Sequence, residues 1–118
     1  MLFRSIADLD HSVECHVTAL DFRPPGHPGR PNTLSNFATA LLIRYGQLGM
    51  QKDIELAIEY FNTALSVLPP DGRLMPLMNY ASALFSRFQR SGDISDLTDA
   101  IRQYQAVLDS SPDRKSVV

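Results

Sequence analysis

The chain has little that would indicate a disulfide scaffold, a nucleic-acid binder or a membrane protein. Among its 118 residues there is no tryptophan and a single cysteine, so no internal disulfide can form, which favours a reducing compartment. The net charge of −2 comes without the clustered Lys and Arg residues typical of nucleic-acid-binding domains. Apolar runs of about four residues fall far short of the roughly 18 that a membrane helix needs. We therefore expect a cytoplasmic protein that binds neither nucleic acid nor membrane.

Candidate catalytic and metal-binding side chains are also few. His11 and Cys15 lie four residues apart, a spacing that places two metal ligands on one helix face. Structural zinc needs four ligands, however, and the chain offers only two further histidines. A Cys–His nucleophile pair would lack a third, orienting group, and no glycine-rich phosphate loop is present. We predict no metal, cofactor or catalytic residue, and we expect Cys15 to be buried or half-buried.

What the chain does have is an internal repeat. Residues 36–69 align with residues 79–112 at an offset of 43, and identical residues recur along the whole block. The positions that we predict to be structural, in the first copy and then in the second, are Asn36, Arg44, Gly49, Asp53, Ala57, Asn79, Arg87, Gly92, Asp96 and Ala100. A period of roughly 20–50 residues is typical of a solenoid of stacked units, none of which buries its apolar face alone.

A partial third copy precedes these two and matches only their second half. Its matching residues are Asp8, Leu9, Val13, His16, Ala19, Leu20 and Pro24. We predict one domain, 1–118, with a partial repeat at 5–31, full repeats at 32–72 and 73–112, and a disordered tail at 113–118. The missing first helix and the unfinished last unit are also what a slice of a longer array, or a truncated gene product, would show. Uncapped repeat ends would expose apolar faces, so self-association through them is expected.

Apolar spacing predicts an all-α fold, a helical-hairpin solenoid of about five helices. The predicted helices span residues 5–22, 32–48, 52–68, 74–91 and 94–110. Gly49 and Gly92 fit the left-handed residue that follows a helix C-terminus, and Ser95 is a candidate N-cap. The last helix carries an apolar stripe that we expect to be core, formed by Leu97, Ala100, Ile101, Tyr104 and Leu108. Ala57 and Ala100, small residues among large ones, predict a close approach of two helices.

The second half of each unit also carries a family pattern, A-x3-[FY]-x2-[AV]-x4-P. The matching residues are Ala57, Phe61, Ala64 and Pro69, then Ala100, Tyr104, Val107 and Pro112. This pattern resembles the second helix of a tetratricopeptide repeat, and residues 34–41 resemble its first helix. The family's usual tryptophan is absent, and the unit is longer than the ordinary one. The lengthened form resembles the tetratricopeptide arrays of fungal proteins, some of which precede a caspase-like CHAT domain. No part of such a domain lies within these residues.

The resemblance implies a non-catalytic protein-interaction scaffold. Tetratricopeptide arrays hold a peptide or partner helix in a concave groove lined by the first helix of each repeat. Here the groove residues would be Thr39, Leu42, Ile43, Ser82, Phe85 and Ser86. They are small, hydroxylated or apolar, so we expect apolar contacts to a protein partner rather than a clamp for a C-terminal carboxylate. The alternative for Leu42, Ile43 and Phe85 is that they are inter-helix core.

Two further questions stay open in the sequence. Arg44 and Arg87 could contact an acidic partner, or each could pair with the recurring acid of its own hairpin, Asp53 or Asp96. As a partly exposed pair, this contact would contribute roughly 0–1 kcal/mol. At the level of the whole chain, the alternative to a scaffold is the regulatory or sensor arm of a larger enzyme, such as a CHAT protease, or a fragment without independent function.

Overall fold

In the computed structural model, which describes residues 6–110, five α-helices account for most of the chain. They are α1 (Ile6–Asp21), α2 (Arg30–Leu48), α3 (Gln51–Leu65), α4 (Leu74–Ser91) and α5 (Ile94–Ser110). A single turn of 3-10 helix, Pro70–Gly72, precedes α4, and residues 6–110 contain no strand. The predicted all-α class with five helices is confirmed. The tail predicted at 113–118 lies outside the described residues.

The helices belong to two compact units, residues 1–68 and residues 69–118. In the first unit, α2 packs against both α1 and α3. In the second, α4 packs against α5 and against the 3-10 turn. Each unit therefore contains one helical hairpin, α2–α3 or α4–α5, built from one copy of the repeat. None of the described helices is both long and apolar enough to cross a membrane.

The turn between the helices of each hairpin is closed by a glycine. Gly49 and Gly92 have φ angles of 69° and 73°, in the left-handed region that a residue without Cβ enters at little cost. The amide of Gly49 donates to the Tyr45 carbonyl and that of Gly92 to the Phe88 carbonyl, both at 2.7 Å. These bonds satisfy carbonyls that the helix end would leave unpaired, so the predicted glycine caps are confirmed.

Three helix-end features differ from the residues predicted for them. Helix α2 begins at Arg30 rather than 32, because Pro31 is tolerated in the first turn of a helix, where its missing N–H is not needed. Helix α3 ends at Leu65 rather than 68: the amides of Val67 and Leu68 both donate to the Ala64 carbonyl in a tightened last turn, and Pro69 disfavours helical geometry at Leu68. The cap of α5 is Asp93 and not Ser95: its Oδ1 accepts from the Ser95 amide at 3.0 Å and from the Ser95 hydroxyl at 2.7 Å.

The two hairpins bury their second helices to different extents. Helix α3 buries six residues, namely Asp53, Ile54, Ala57, Phe61, Ala64 and Leu65. Helix α5 buries only Asp96 and Ala100. The predicted core stripe of α5 is wrong at three positions, because Ile101 is 59% exposed, Tyr104 42% and Leu108 48%, whereas Ala100 is buried and Leu97 half-buried. The recurring alanines are both confirmed as buried, at 0% exposure for Ala57 and 1% for Ala100.

Candidate functional site

The recurring Arg and Asp residues form the same bidentate ion pair in each hairpin. Arg44 donates from Nε and Nη2 to the two carboxylate oxygens of Asp53, at 2.9 and 2.8 Å. Arg87 donates in the same way to Asp96, at 2.8 and 2.7 Å. Arg44 also donates from Nη1 to Asp10 on α1, at 3.0 Å. The pairing of each arginine with the acid of its own hairpin is confirmed. The primary role of these arginines is therefore structural.

These pairs are more buried than the sequence indicated. Asp53 is 2% exposed and Asp96 4%, so the carboxylates are shielded from water. The hydrogen bonds that Arg44 donates to Asp53 are the main cause that raises the pKa of Arg44 above its ordinary value; burial opposes this, and Asp10 adds to it. Removing one partner of a buried pair costs far more than losing a surface contact. The contribution of roughly 0–1 kcal/mol stays a prediction for the pair as a whole, and we expect a larger cost when only the arginine is removed.

A shallow hollow of about 230 Å³ lies between α1 and α2 in the first unit. Its lining residues are Ser12, His16, Asn36, Thr39, Ala40 and Ile43. Ala40 and Ile43 are its apolar lining residues, and we name the other four, which are polar, its polar rim. Thr39 and Ile43, two of the predicted groove residues, lie here. The hollow is smaller than the roughly 300–1,000 Å³ of typical small-molecule sites, and it matches the size of one or two peptide side chains.

His16 is the polar group of the hollow whose orientation is best defined. Its Nδ1 lies 2.8 Å from the Ser12 carbonyl, which can only accept, so Nδ1 carries the proton. In the neutral ring, Nε2 is then the acceptor. The ring stacks on Phe37 at a centroid distance of 6.4 Å, and Phe37 stacks on Tyr60 at 5.2 Å. This row of rings across α1, α2 and α3 holds the imidazole in place at the rim.

The remaining predicted groove residues lie on α2 and α4. Leu42 on α2 is half-buried, and so are Ser82 and Ser86 on α4. Phe85 is 38% exposed, with its ring 6.1 Å from that of Phe88. None of the six residues is fully buried, so each retains surface on the outside of its hairpin. Thr39 is half-buried, and its hydroxyl donates to the Ser35 carbonyl at 2.9 Å.

Sequence reasoning missed the part of the hollow that α1 contributes. Ser12 and His16 were not among the predicted groove residues, because α1 aligns with the second helices of the repeat rather than with the first. A signal was present, however. In that alignment His16 occupies the slot of Phe61, which is fully buried in α3. A polar ring in a core slot indicates a helix face that retains access to water.

Cys15 and His11 are close but exposed. The sulfur of Cys15 lies 3.5 Å from Nε2 of His11, one turn earlier on α1. Cys15 is exposed, so the expectation that it is buried or half-buried is wrong: Leu9 and Val13 form the buried face of α1, and Cys15 lies away from it. Among the described residues, no three His, Cys, Asp or Glu side chains are grouped so as to hold a metal ion.

Comparisons with protein-family models, with curated proteins and with solved structures found no match to this chain. The tetratricopeptide resemblance accordingly rests on the residue pattern of the two hairpins. The site is described by its own geometry: a hollow with a polar rim in the first unit, and partly exposed first-helix residues in both units.

Proposed function

We propose that this chain is a non-catalytic protein-interaction scaffold of tetratricopeptide type, whose first helices, α2 and α4, present side chains to a peptide or partner helix. The observation that carries the proposal is the partial exposure of the first-helix row, beside recurring residues such as Asp53, Ala57 and Ala100 that are buried. Leu42, Ile43 and Phe85 are large apolar side chains, and each keeps surface outside its hairpin. A stacked, solenoid arrangement of the hairpins belongs to the same proposal, by family resemblance.

The hollow between α1 and α2 supports the mode of binding. Ala40 and Ile43 supply apolar surface for a side chain, while His16 and Asn36 offer polar atoms at the rim for a peptide backbone. Apolar contacts supply most of the affinity when a partner helix lies in a groove, and the polar atoms would fix its orientation. No lysine or arginine lines the hollow, so it does not select a terminal carboxylate by charge.

The test is a selection for binders followed by measurement of affinity. A displayed library of random peptides would be selected on the full chain, and the Kd of a selected synthetic peptide measured by calorimetry. We expect Leu42→Ala, Ile43→Ala or Phe85→Ala to weaken binding at least tenfold. The matched control is Val67→Ala, which also shortens an apolar side chain, 63% exposed, outside the first helices.

Two results would count against the proposal. One is a selection that yields no peptide with saturable binding. The other is a peptide whose affinity falls in the Val67 variant and not in the three first-helix variants, which would place recognition elsewhere. Circular dichroism of every variant at the temperature of the assay checks that a loss of binding is not a loss of fold.

A further inference from the structure

His16 differs from the residues that occupy its slot in the two full copies of the repeat. Those residues are Phe61 and Tyr104, whose rings contain no nitrogen. His16 keeps an aromatic ring there, and the ring stacks on Phe37 with an angle of 13° between the two planes. A phenylalanine can make the same kind of contact, so packing does not require the two ring nitrogens of His16.

The fold uses one of these nitrogens and leaves the other free. Nδ1 of His16 donates to the Ser12 carbonyl at 2.8 Å, so in the neutral ring Nε2 has no proton and can only accept. No hydrogen bond joins Nε2 to any of the described residues. Nε2 is also accessible, since residues 6–110 contain no buried side-chain nitrogen or oxygen without a partner. The polar rim therefore presents an oriented acceptor that the described part of the chain does not occupy.

The other residues of the polar rim place weaker demands on a ligand. The hydroxyl of Ser12 and the amide of Asn36 can each donate or accept, so both adapt to the group that approaches. The Thr39 hydroxyl donates its proton to the Ser35 carbonyl at 2.9 Å. Nε2 of His16 can only accept, so the group that meets it must carry an N–H or an O–H. A carbonyl or carboxylate at this point would face another acceptor and lose its hydrogen bond to water.

On the basis of the proposed scaffold function, we propose that His16 selects an extended peptide segment over a partner helix. One backbone N–H of the segment donates to Nε2, and the aliphatic side chain beside it packs on Ala40 and Ile43. The interior of a partner helix has no such donor, because beyond the first four residues each backbone N–H is bonded within the helix. An extended segment has a backbone N–H at every residue except proline. The two kinds of partner in the proposed function are thereby reduced to one.

The lining of the hollow favours a backbone donor over a side-chain donor. A volume of about 230 Å³ holds one or two side chains, and the apolar Ala40 and Ile43 suit an aliphatic one. No carboxylate lines the hollow, so a lysine or arginine that reached Nε2 would find no charge to pair with. A backbone N–H is neutral and lies at the base of the side chain, beside the polar rim. Where extended peptides add to a sheet edge, main-chain hydrogen bonds and side-chain pockets share the recognition in the same way.

A backbone scan of a bound peptide tests this assignment. The probe is a synthetic peptide selected from a displayed library on the full chain, and in each analogue an ester oxygen replaces one backbone N–H. The Kd of each analogue is measured by calorimetry at about pH 8, above the ordinary pKa of a histidine ring. We expect one ester to weaken binding to the wild-type chain about fivefold, as for the loss of one hydrogen bond, and binding to His16→Phe less than about twofold.

His16→Phe and its control are chosen to keep the packing of α1. Phenylalanine is the residue of the equivalent slot, Phe61, and it retains a ring to stack on Phe37. His11→Phe makes the same change at an exposed histidine of α1 that does not line the hollow, so it should leave every Kd unchanged. Circular dichroism checks that both variants are folded.

Nitrogen-15 NMR of the wild-type histidine rings supplies a second measurement that needs no variant. Nδ1 of His16 should carry the proton in the free chain, because it donates to the Ser12 carbonyl. The Nε2 resonance should shift more with the parent peptide than with the sensitive ester.

Three results would overturn the assignment of an extended segment. The first is a peptide for which no ester weakens the wild type more than His16→Phe, and the second is a free chain in which Nε2 carries the proton. The third is a His16-dependent loss that follows a side chain of the peptide, such as lysine replaced by norleucine, instead of an ester. In all three cases weaker binding to Leu42→Ala and Phe85→Ala would still support the scaffold function. Failure to select any binding peptide would contradict the scaffold function itself, and with it this occupant.

Discussion

Asp53 and Arg44 are unequal members of their ion pair. Asp53 is 2% exposed, whereas the Arg44 side chain is 19% exposed and reaches Asp10 as well. An unpaired charge is costly where water cannot reach it. Loss of the arginine should therefore be worse for the fold than loss of the carboxylate.

Arg44→Met tests this asymmetry. We expect it to lower the free energy of unfolding by about 3 kcal/mol or more, because it leaves the Asp53 carboxylate buried without its main partner. Asp53→Ala should cost less, because Arg44 keeps Asp10 and water. Urea denaturation gives both values.

Arg102→Met is the matched control. Arg102 donates to Asp99 at the same 2.8 Å, but its side chain is 68% exposed, so we expect a change within about 0.5 kcal/mol. Equal losses for Arg44→Met and Arg102→Met would contradict the argument from burial.

The partners of these side chains could be predicted, and their burial could not. Arg44 and Asp53 recur together as Arg87 and Asp96, which was sufficient to indicate a pair within each hairpin. How deeply a carboxylate lies depends on how two helices cross, and residue spacing along one helix does not determine that angle. Cys15 is a different case: its residue type suggested burial, but its spacing from Leu9 and Val13 on α1 puts it on the exposed face.

Helix ends offer a second comparison between the two copies. Asp93 caps α5 through its carboxylate, whereas the equivalent residue of α3, Met50, makes no side-chain cap. The backbone of Met50, at φ −75° and ψ 116°, already has the extended geometry that an N-cap residue adopts. What this position lacks is a side chain that accepts a hydrogen bond from an amide of the first helical turn.

Met50→Asp should supply that cap and raise the free energy of unfolding by about 0.5–1 kcal/mol at neutral pH. The bonds from the hydroxyl and the amide of Ser95 lower the pKa of Asp93 in the folded chain. An acid with a lowered folded pKa stabilises above its unfolded pKa of about 4, and the effect is lost as the pH falls through the folded value. The gain from Met50→Asp should disappear in the same acid range.

Met50→Asn separates capping from charge. Its amide oxygen caps but does not titrate in acid, so its gain should persist where that of Met50→Asp is lost. Thermal unfolding across a pH series measures both variants. A gain for aspartate that is independent of pH, or no gain for either residue, would show that the cap is not formed.

Packing between helices gives a third test. Ala57 on α3 is fully buried, which agrees with its prediction as a point of close approach. Ala57→Leu should overpack the contact and cost roughly 1–3 kcal/mol. Glu59→Leu, at an exposed position of the same helix, introduces the same side chain as a control. A melting temperature of Ala57→Leu within a degree of wild type would remove the close-approach argument.

Periodicity predicted the helices well and their ends less well. Helix α4 spans the predicted 74–91, because a 3-10 turn precedes it and Gly92 follows it, and α5 begins at the predicted 94, shortly after that glycine. The end of α3 was placed three residues too far, since the apolar pattern continues through Leu68. Leu68 is buried although it is not helical, so periodicity alone could not place the boundary.

The two units of the chain, taken separately, differ in how much of their second helix they bury. Helix α3 buries six residues and α5 buries two. Elements with few buried contacts open at lower free energy. Native-state hydrogen exchange should therefore show the amides of α5 opening more readily than those of α3, at a protein concentration low enough to keep the chain monomeric. Equal or greater protection of α5 would show that exposure does not determine the order of opening.

The buried ion pairs restrict how this sequence can change. Replacing both residues of such a pair by apolar ones of similar volume is often neutral or stabilising, yet losing the arginine first leaves a buried carboxylate without its main partner. That order of substitution costs roughly 3–5 kcal/mol, a large fraction of the stability of a small domain, so the aspartate is the residue that can be replaced first. The two hairpins differ at positions such as Met50 and Asp93, whereas both have the same arginine and aspartate. Once such a buried pair is present in a hairpin, replacing its arginine alone is strongly disfavoured.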